Sequence, residues 1–124
     1  MINLLIDNEL SLRKYYINYH SDSVIRLLGN NESIEYSFAN DYVKVFFTNK
    51  RIIIEEKNDK LEYTFIGRGF LSYIQFVVPD VSMSVSEMKI SLGLKEGTKL
   101  RLVLEGDVDF IGLQMFLMPI FFNN

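Results

Sequence analysis

The sequence predicts a mainly β domain: a bent antiparallel sheet or partly open barrel of about seven strands, closed by a C-terminal α-helix. Apolar and polar residues alternate between residues 34 and 104, and turn signals recur about every eight to twelve residues, as in sandwiches and barrels. From residue 110 the apolar spacing changes to three and four, the period of a helix. The segments between the strands are too short for crossover helices, so a doubly wound parallel sheet is not expected.

Turn residues divide the predicted strands from one another. Asn49-Lys50 and Lys57-Asn58-Asp59-Lys60 are polar turns, and an Asn such as Asn49 tolerates a left-handed backbone. Gly67-Arg68-Gly69, Pro79-Asp80 and Lys95-Glu96-Gly97-Thr98 provide the later breaks. The strands predicted between these breaks cover residues 34–38, 42–48, 51–56, 61–65, 70–78, 88–94 and 100–104.

The first part of the chain has a different pattern. Ser21-Asp22-Ser23 supplies N-cap residues and Gly29 a C-terminal stop, which predicts a short helix from Asp22 to Leu28. Upstream, Leu10, Lys14 and Ile17 share one helical face, so Asn8–Asn18 is also predicted to be helical. We therefore predict a helical N-terminal extension, residues 1–28, packed on a domain of residues 29–124.

The last segment is predicted to be an amphipathic helix. Phe110, Leu113, Leu117 and Phe121 follow helical spacing, and Asp107 or Asp109 can cap the start. Its thirteen-residue apolar stretch is shorter than the ~20 residues of a membrane span, and it has no Lys or Arg to contact anionic lipid. The helix carries more apolar surface than one face needs, so we predict an interface formed by Phe116, Ile120, Phe121 and Phe122.

Composition limits the chemistry of this chain. It has 124 residues, one His, no Cys and a net charge of −3. A chain of this length supports one domain, and the absence of Cys excludes disulfides, thiolate metal sites and a Cys nucleophile. The mild acidity argues against nucleic acid as a partner. We name no catalytic residue, metal ligand or cofactor, and the lack of a basic, apolar leader predicts a cytoplasmic location, with peripheral membrane contact as an alternative.

Several runs resemble bacterial pleckstrin-homology domains. The first is Asn30–Phe38, similar to the opening Glu-x-Ile strand of that family, and the most specific is Phe46-Phe47-Thr48-Asn49-Lys50-Arg51-Ile52-Ile53-Ile54. Residues 61–78, 88–105 and 109–111 are similar to the strands and closing helix that follow, and GRAM-type domains share a related turn. The resemblance extends from about Leu28 to Phe122. Gly67-Arg68-Gly69-Phe70 stands where the family has Ile-Pro-Tyr, and residues 1–20 have no counterpart.

The resemblance implies a PH-like fold and two classes of partner. Eukaryotic relatives bind phosphoinositides at the open end of the barrel, which makes Lys44, Lys50, Arg51 and Arg68 candidate contacts for an anionic headgroup. Acids intersperse these cations, so we favour the alternative that Arg51 pairs with a carboxylate such as Asp41 or Glu55. The family also contains ring-forming and other oligomeric members.

Three further features have ordinary structural explanations. His20, beside Tyr16, Tyr19 and Asp22, is expected to be a surface or partly buried residue and not a pH switch. Glu105–Asp109 is better explained by helix capping than by a cation site. The Gly67-Arg68-Gly69 turn is an anion cradle only as the less favoured alternative to a bulge or turn.

Three functions remain open from the sequence. The favoured one is a non-catalytic binding or scaffold module that contacts itself or another protein. The first alternative is a peripheral binder of anionic lipid headgroups. The second is a small-ligand barrel or an enzyme, which is the weakest because no nucleophile, base and orienting residue can be named together.

Overall fold

The computed structural model describes residues 9–77, 87–106 and 108–122, which form one curled sheet and a closing helix. The strands are β1 Glu9–Lys14, β2 Ile34–Ala39, β3 Val43–Thr48, β4 Arg51–Lys57, β5 Leu61–Gly67, β6 Leu71–Val77, β7 Glu87–Leu94 and β8 Lys99–Glu105. Two short 3-10 helices cover Ser23–Leu27 and Arg68–Phe70, and α1 covers Phe110–Phe122. The prediction of a mainly β sheet closed by a C-terminal helix is confirmed.

The sheet consists of two antiparallel meanders joined by β1. Its strand order is β5-β4-β3-β2-β1-β8-β7-β6, so β1 lies between the first strand of one meander and the last strand of the other. It runs antiparallel to β2 and parallel to β8, with five registered pairs from Glu9–Arg101 to Arg13–Glu105. The seven predicted strands are all present, and β1 is the eighth.

The helix predicted over Asn8–Asn18 is wrong where the chain is described, because Glu9–Lys14 is a strand. Leu12 is fully buried while Ser11 and Arg13 are exposed, which is the period of a strand. The apparent helical face of Leu10, Lys14 and Ile17 was a coincidence of spacing. Pairing on both sides supplies the backbone hydrogen bonds that decide the conformation. The helical part of the N-terminal extension is thus reduced to Ser23–Leu27, and residues 1–8 lie outside the described residues.

The main core fills the concave side of the sheet. Alternate residues of β3 and β4 point inward, and Phe47 and Ile52 are among the largest fully buried side chains. Helix α1 adds Leu113 and Leu117, both fully buried in the same cluster. The helix therefore closes the core at Leu113 and Leu117, two of the four positions that the three-and-four spacing predicted. The side chains of the other two, Phe110 and Phe121, lie outside the described residues.

A second, smaller core lies on the convex side of the sheet. Residues 15–33, hereafter the strap, cross this face and bury Val24 against Phe46 and Ile53. The short helix predicted for Asp22–Leu28 is present as the 3-10 helix Ser23–Leu27. Asp22 occupies the N-cap position but makes no capping hydrogen bond with its side chain. Its carboxylate instead contacts the Tyr15 hydroxyl and Lys44 Nζ.

Leu12 tests whether β1 is essential to the sheet. We expect Leu12→Ala to lower the free energy of unfolding by about 3 kcal/mol, because it empties a fully buried site in the strand that joins the meanders. Urea unfolding followed by circular dichroism measures the loss. Ser11→Ala, at the exposed neighbouring position of β1, is the control and should change stability by less than about 0.5 kcal/mol. Equal, small effects of both substitutions would contradict the assignment of β1.

Candidate functional site

The turn Thr48–Arg51, which carries the strongest family resemblance, is bound to the strap. The Ser33 amide donates to Asn49 Oδ1 at 2.9 Å, and Asn49 Nδ2 donates to the Asn31 carbonyl at 2.8 Å. Lys50 Nζ donates to the Asn30 carbonyl at 2.7 Å. The left-handed backbone expected at Asn49 occurs at Asn31, with φ 61°. The turn thus works as a clasp for the end of the strap.

Arg51 and Glu32 form the centre of this clasp. Arg51 Nε and Nη2 donate to the two oxygens of Glu32 at 2.9 and 3.0 Å, a bidentate pair. Arg51 Nη2 also donates to the Leu27 carbonyl at 2.8 Å, and the guanidinium lies 4.4 Å from the centre of the Phe65 ring. Arg51 therefore pairs with a carboxylate, as we favoured, but the carboxylate is Glu32 and not Asp41 or Glu55.

Glu32 is a buried and fully engaged carboxylate. Only 2% of its side chain is exposed, and it also accepts hydrogen bonds from Thr48 Oγ1 at 2.7 Å and the Gly29 amide at 2.9 Å. Burial acts to raise the pKa of Glu32, but the hydrogen bonds from Arg51, Gly29 and Thr48 outweigh it and leave the pKa below its ordinary value. Glu32 consequently remains ionised and holds the strap on the turn.

Lys44 forms a second charged cluster at the other end of the strap. Its Nζ lies 3.0 Å from Asp22 Oδ1, 3.0 Å from the Tyr15 hydroxyl and 3.8 Å from Glu55 Oε2. The Tyr15 hydroxyl donates to Asp22 at 2.8 Å, and the Tyr63 hydroxyl donates to Glu55 at 2.7 Å. Lys44, Asp22 and Glu55 thus form a tethered cluster beneath the strap.

The pKa values of this cluster favour its charged and hydrogen-bonded form. Burial acts to lower the pKa of Lys44, but Tyr15, Asp22 and Glu55 raise it above the ordinary value. Burial likewise opposes ionisation of Asp22, whose pKa is nevertheless lowered by the Asn18 amide, Tyr15 and Lys44. Burial and the bond to Glu55 raise the pKa of Tyr63 to about 12. Lys44 stays a cation that is matched inside the protein.

The four predicted headgroup contacts do not form one described cluster. Lys44 on β3 is paired with Glu55 on β4. Glu55 is four residues along β4 from Arg51, so the two predicted cations are separated by about 13 Å along the hairpin. Lys50 is exposed on the turn, and the side chain of Arg68 lies outside the described residues. Two of the four cations are therefore paired with carboxylates of the protein, at separate ends of one hairpin.

The remaining sequence candidates have local roles where they are described. Asp109 accepts a hydrogen bond from the Gly112 amide at 3.0 Å, so the predicted cap of α1 is confirmed there. Asp107 lies outside the described residues. His20 is exposed. Among residues 9–77, 87–106 and 108–122, no three acid or histidine side chains lie close enough to hold a metal ion.

Helix α1 presents an apolar face to solvent that the sequence analysis did not single out. Ile111 and Met115 are 73% and 70% exposed, and Met118 is also exposed. Their spacing of four and three places them on one stripe, opposite Leu113 and Leu117. No residue from Phe110 to Phe122 is charged. The exposed stripe could have been found from this spacing once Leu113 and Leu117 were assigned to the core.

The predicted interface residues of α1 occupy different positions from this stripe. Phe116 is half-buried and packs against the main core, with its ring centre 5.4 Å from that of Tyr36. The side chains of Ile120, Phe121 and Phe122 lie outside the described part of the chain. In the described part, no helix is long and apolar enough to cross a membrane.

An open apolar groove of about 510 Å³ lies beside the short 3-10 helix Arg68–Phe70, which connects β5 to β6 along the chain. The end of β5 and the turn after β7 form its walls, with lining residues Thr64, Phe65, Ile66, Gly69, Phe70, Leu94, Lys95 and Glu96. Two smaller open grooves, of about 370 and 360 Å³, lie along the two edges of the strap. Because all three are open to solvent, none encloses a ligand.

Solved structures with the same fold are bacterial pleckstrin-homology proteins. A DUF1696 family protein with a pleckstrin-homology domain from Shewanella loihica PV-4 matches with a TM-score of 0.65 and 18% identity, over 90% of this chain and 98% of that one. A pleckstrin-homology domain from Shewanella amazonensis SB2B matches with a TM-score of 0.58 and 19% identity, over 81% and 83% of the two chains. A protein containing such a domain from Exiguobacterium sibiricum 255-15 matches with a TM-score of 0.65 and 8% identity, over 90% of this chain and 62% of that one.

These matches define the class of fold and no more. No protein-family model and no curated protein match this sequence. The resemblance noted in the strand and turn motifs is confirmed as a shared PH-like fold over most of the chain. At identities below one fifth, the likeness carries no ligand or partner with it.

Glu32 tests the clasp between the turn and the strap. We expect Glu32→Gln to lower the free energy of unfolding by about 3 kcal/mol, because it leaves the Arg51 guanidinium partly buried without its charge partner. Urea unfolding measures the effect. Glu35→Gln is the matched control, since Glu35 is exposed and accepts a hydrogen bond from the nearby Ser33 hydroxyl. If the two variants are equally stable, Glu32 does not hold the strap.

The strap should also lose stability in acid. Asp22 and Glu32 have pKa values lowered from 3.8 and 4.5. Their contribution is therefore complete above those unfolded-state values and is lost as the pH falls through the lower folded-state values. We expect the free energy of unfolding, measured by urea titration from neutral pH to about pH 2, to fall below about pH 4.5. The double variant Asp22→Asn, Glu32→Gln should show a flatter profile, and an unchanged slope would refute this account.

Proposed function

We propose that this chain is a non-catalytic binding module that acts through protein–protein contact, including contact with further copies of itself. The observation that carries the proposal is the uncharged outer face of α1. Ile111, Met115 and Met118 expose an apolar stripe on a helix that also seals the core. An uninterrupted apolar stripe in water is typical of a surface that a partner covers.

The composition of the stripe suits contact with protein. Met side chains are flexible and polarizable, so they adapt to different apolar partners. The stripe lies on a rigid support, because Leu113 and Leu117 on the opposite side of α1 are fully buried. A rigid helix face with adaptable side chains can bind a partner without a costly rearrangement.

The lipid-headgroup alternative has weaker support. Binding a phosphate group needs several cations that converge and are available to the ligand. Lys44 is held by Asp22 and Glu55, and Arg51 is held by Glu32. Recruiting either cation would leave a buried carboxylate of the strap without its partner, which is energetically costly.

The small-ligand or enzyme alternative also has less support than protein contact. The described grooves are open, and in one of them Lys44 is engaged by Asp22 and Glu55. Lys44, which is the candidate with the most altered environment, has a raised pKa and therefore stays protonated. A protonated amine is neither a nucleophile nor a base at neutral pH.

Met115 tests the proposed surface. We expect the wild-type protein to have a solution mass above the 14.5 kDa of one chain, measured by light scattering over a range of concentrations. Met115→Glu should lower that mass while the circular dichroism spectrum stays unchanged, because Met115 is exposed and a buried carboxylate in the contact is costly. Leu113→Glu is the control on the opposite face, and it should unfold the protein. A strictly monomeric wild type would refute the self-assembly part of the proposal.

A further inference from the structure

Methionine is the residue type through which a mild oxidant acts on this chain. The sequence has no Cys and no Trp but five Met, and a thioether sulfur is readily oxidised by peroxides. Three of the five, Met88, Met115 and Met118, lie in the described part of the chain, whereas Met1 and Met83 lie outside it. The response of the protein to an oxidant therefore depends on where these side chains lie.

The three described methionines differ sharply in exposure. Met88 on β7 is fully buried in the main core, so an oxidant reaches its sulfur only when the sheet opens. Met115 and Met118 on α1 are 70% and 46% exposed. They are three residues apart and therefore neighbours on the same face of the helix. Exposure thus directs an oxidant to the outer face of α1 and away from the core.

These two methionines make up most of the apolar stripe on α1. The third member is Ile111, and no residue from Phe110 to Phe122 is charged. Oxidation converts a flexible, apolar thioether into a polar sulfoxide, whose oxygen accepts hydrogen bonds. Oxidation of both sulfurs therefore leaves Ile111 as the remaining apolar member of the stripe.

We propose that Met115 and Met118 form a reversible oxidation site through which peroxides set the polarity of the outer face of α1. Each sulfur gives an electron pair to one oxygen of hydrogen peroxide, the S–O bond forms and the O–O bond breaks. The departing oxygen takes up the proton of the transferred oxygen and leaves as water. The thioether is thereby oxidised by two electrons, and the peroxide is reduced.

This inference deepens the proposed function, on which it rests, by giving the contact surface a means of release. A sulfoxide oxygen enclosed in an apolar contact loses its hydrogen bonds to water, so we expect each sulfoxide to weaken the contact about tenfold. The fold is retained, because Leu113 and Leu117 hold α1 on the core from its opposite face. Methionine sulfoxide reductases restore the thioethers, so the release is reversible.

Limited oxidation with hydrogen peroxide, followed by mass spectrometry of proteolytic fragments, tests the site itself. The full chain is treated at low protein concentration, and cleavage after Glu87 separates Met83 from Met88. We expect Met115 and Met118 to gain oxygen at least about tenfold faster than Met88. In concentrated urea, where the core is open, Met88 should react as fast as the two residues on α1. Equal rates in the folded protein would overturn the inference and leave the proposed function standing.

Chromatography on a phenyl matrix and light scattering test the consequence. Peroxide should shorten the retention of the wild type and lower its solution mass, while the circular dichroism spectrum stays unchanged. The double variant Met115→Leu, Met118→Leu has an apolar stripe without sulfur, so peroxide should leave its own retention and mass as they were before treatment. Met88→Leu is the matched control in the core and should respond to peroxide as the wild type does. The two reductases specific for the sulfoxide epimers should reverse the change.

The outcomes separate this inference from the proposed function. If Met115 and Met118 oxidise selectively but the retention of the wild type does not change, or changes equally in the double variant, the inference is wrong. A wild type that assembles and keeps its mass after both are oxidised would also overturn it, and Met115→Glu then decides whether α1 is the contact. If peroxide shortens the retention while the untreated protein is a monomer at every concentration, the oxidation site is supported and the self-contact part of the proposed function fails.

Discussion

The fold depends on the insertion of β1 between β2 and β8. Each meander can form its own hairpins from residues that are close in the sequence, but neither can enclose a core alone. Strand β1 satisfies one edge of each meander and buries Leu12 between them. It converts two small sheets into one curled sheet with a shared concave core, which α1 then closes. In the described part of the chain, the positions of β5 and β6 at the two ends of the sheet are a direct consequence of this order.

The segment that follows β1 determines which carboxylates pair with the cations of the β3–β4 hairpin. After β1 the chain crosses the convex face as the strap, and the path brings Asp22 to Lys44 and Glu32 to Arg51. Each pair combines a cation from the β3–β4 hairpin with an acid from the strap, and each acid has further hydrogen-bond donors. The cations that suggest a phosphate site are therefore part of the packing of the strap. Among the described residues, the uncharged outer surface of α1 is left as the feature that these internal contacts do not account for.

Local patterns predicted most of the elements because each pattern reports one face of its own segment. Alternation in Leu100, Leu102 and Leu104 predicts a strand wherever that strand lies in the sheet, and all three are buried as expected. The spacing of Leu113 and Leu117 predicted the inner face of α1 in the same way. Strand β1 was missed because its six residues contain only one fully buried position, Leu12, and its partner β8 is about ninety residues away in sequence. Pairing at such a distance leaves no trace in a local pattern.

What the sequence determined by itself was the class of fold, the order of seven strands and a closing helix, and the expectation that Arg51 pairs with a carboxylate. Which carboxylate it pairs with was decided by the tertiary structure, as were the burial of Lys44 among acids and the exposure of Met115. The reason is physical. A strand or helix period depends on neighbours within one segment, whereas an ion pair, an exposed face or a free edge depends on which distant segments lie against it. Arg51 and Glu32 are nineteen residues apart, and only the path of the strap brings them into contact.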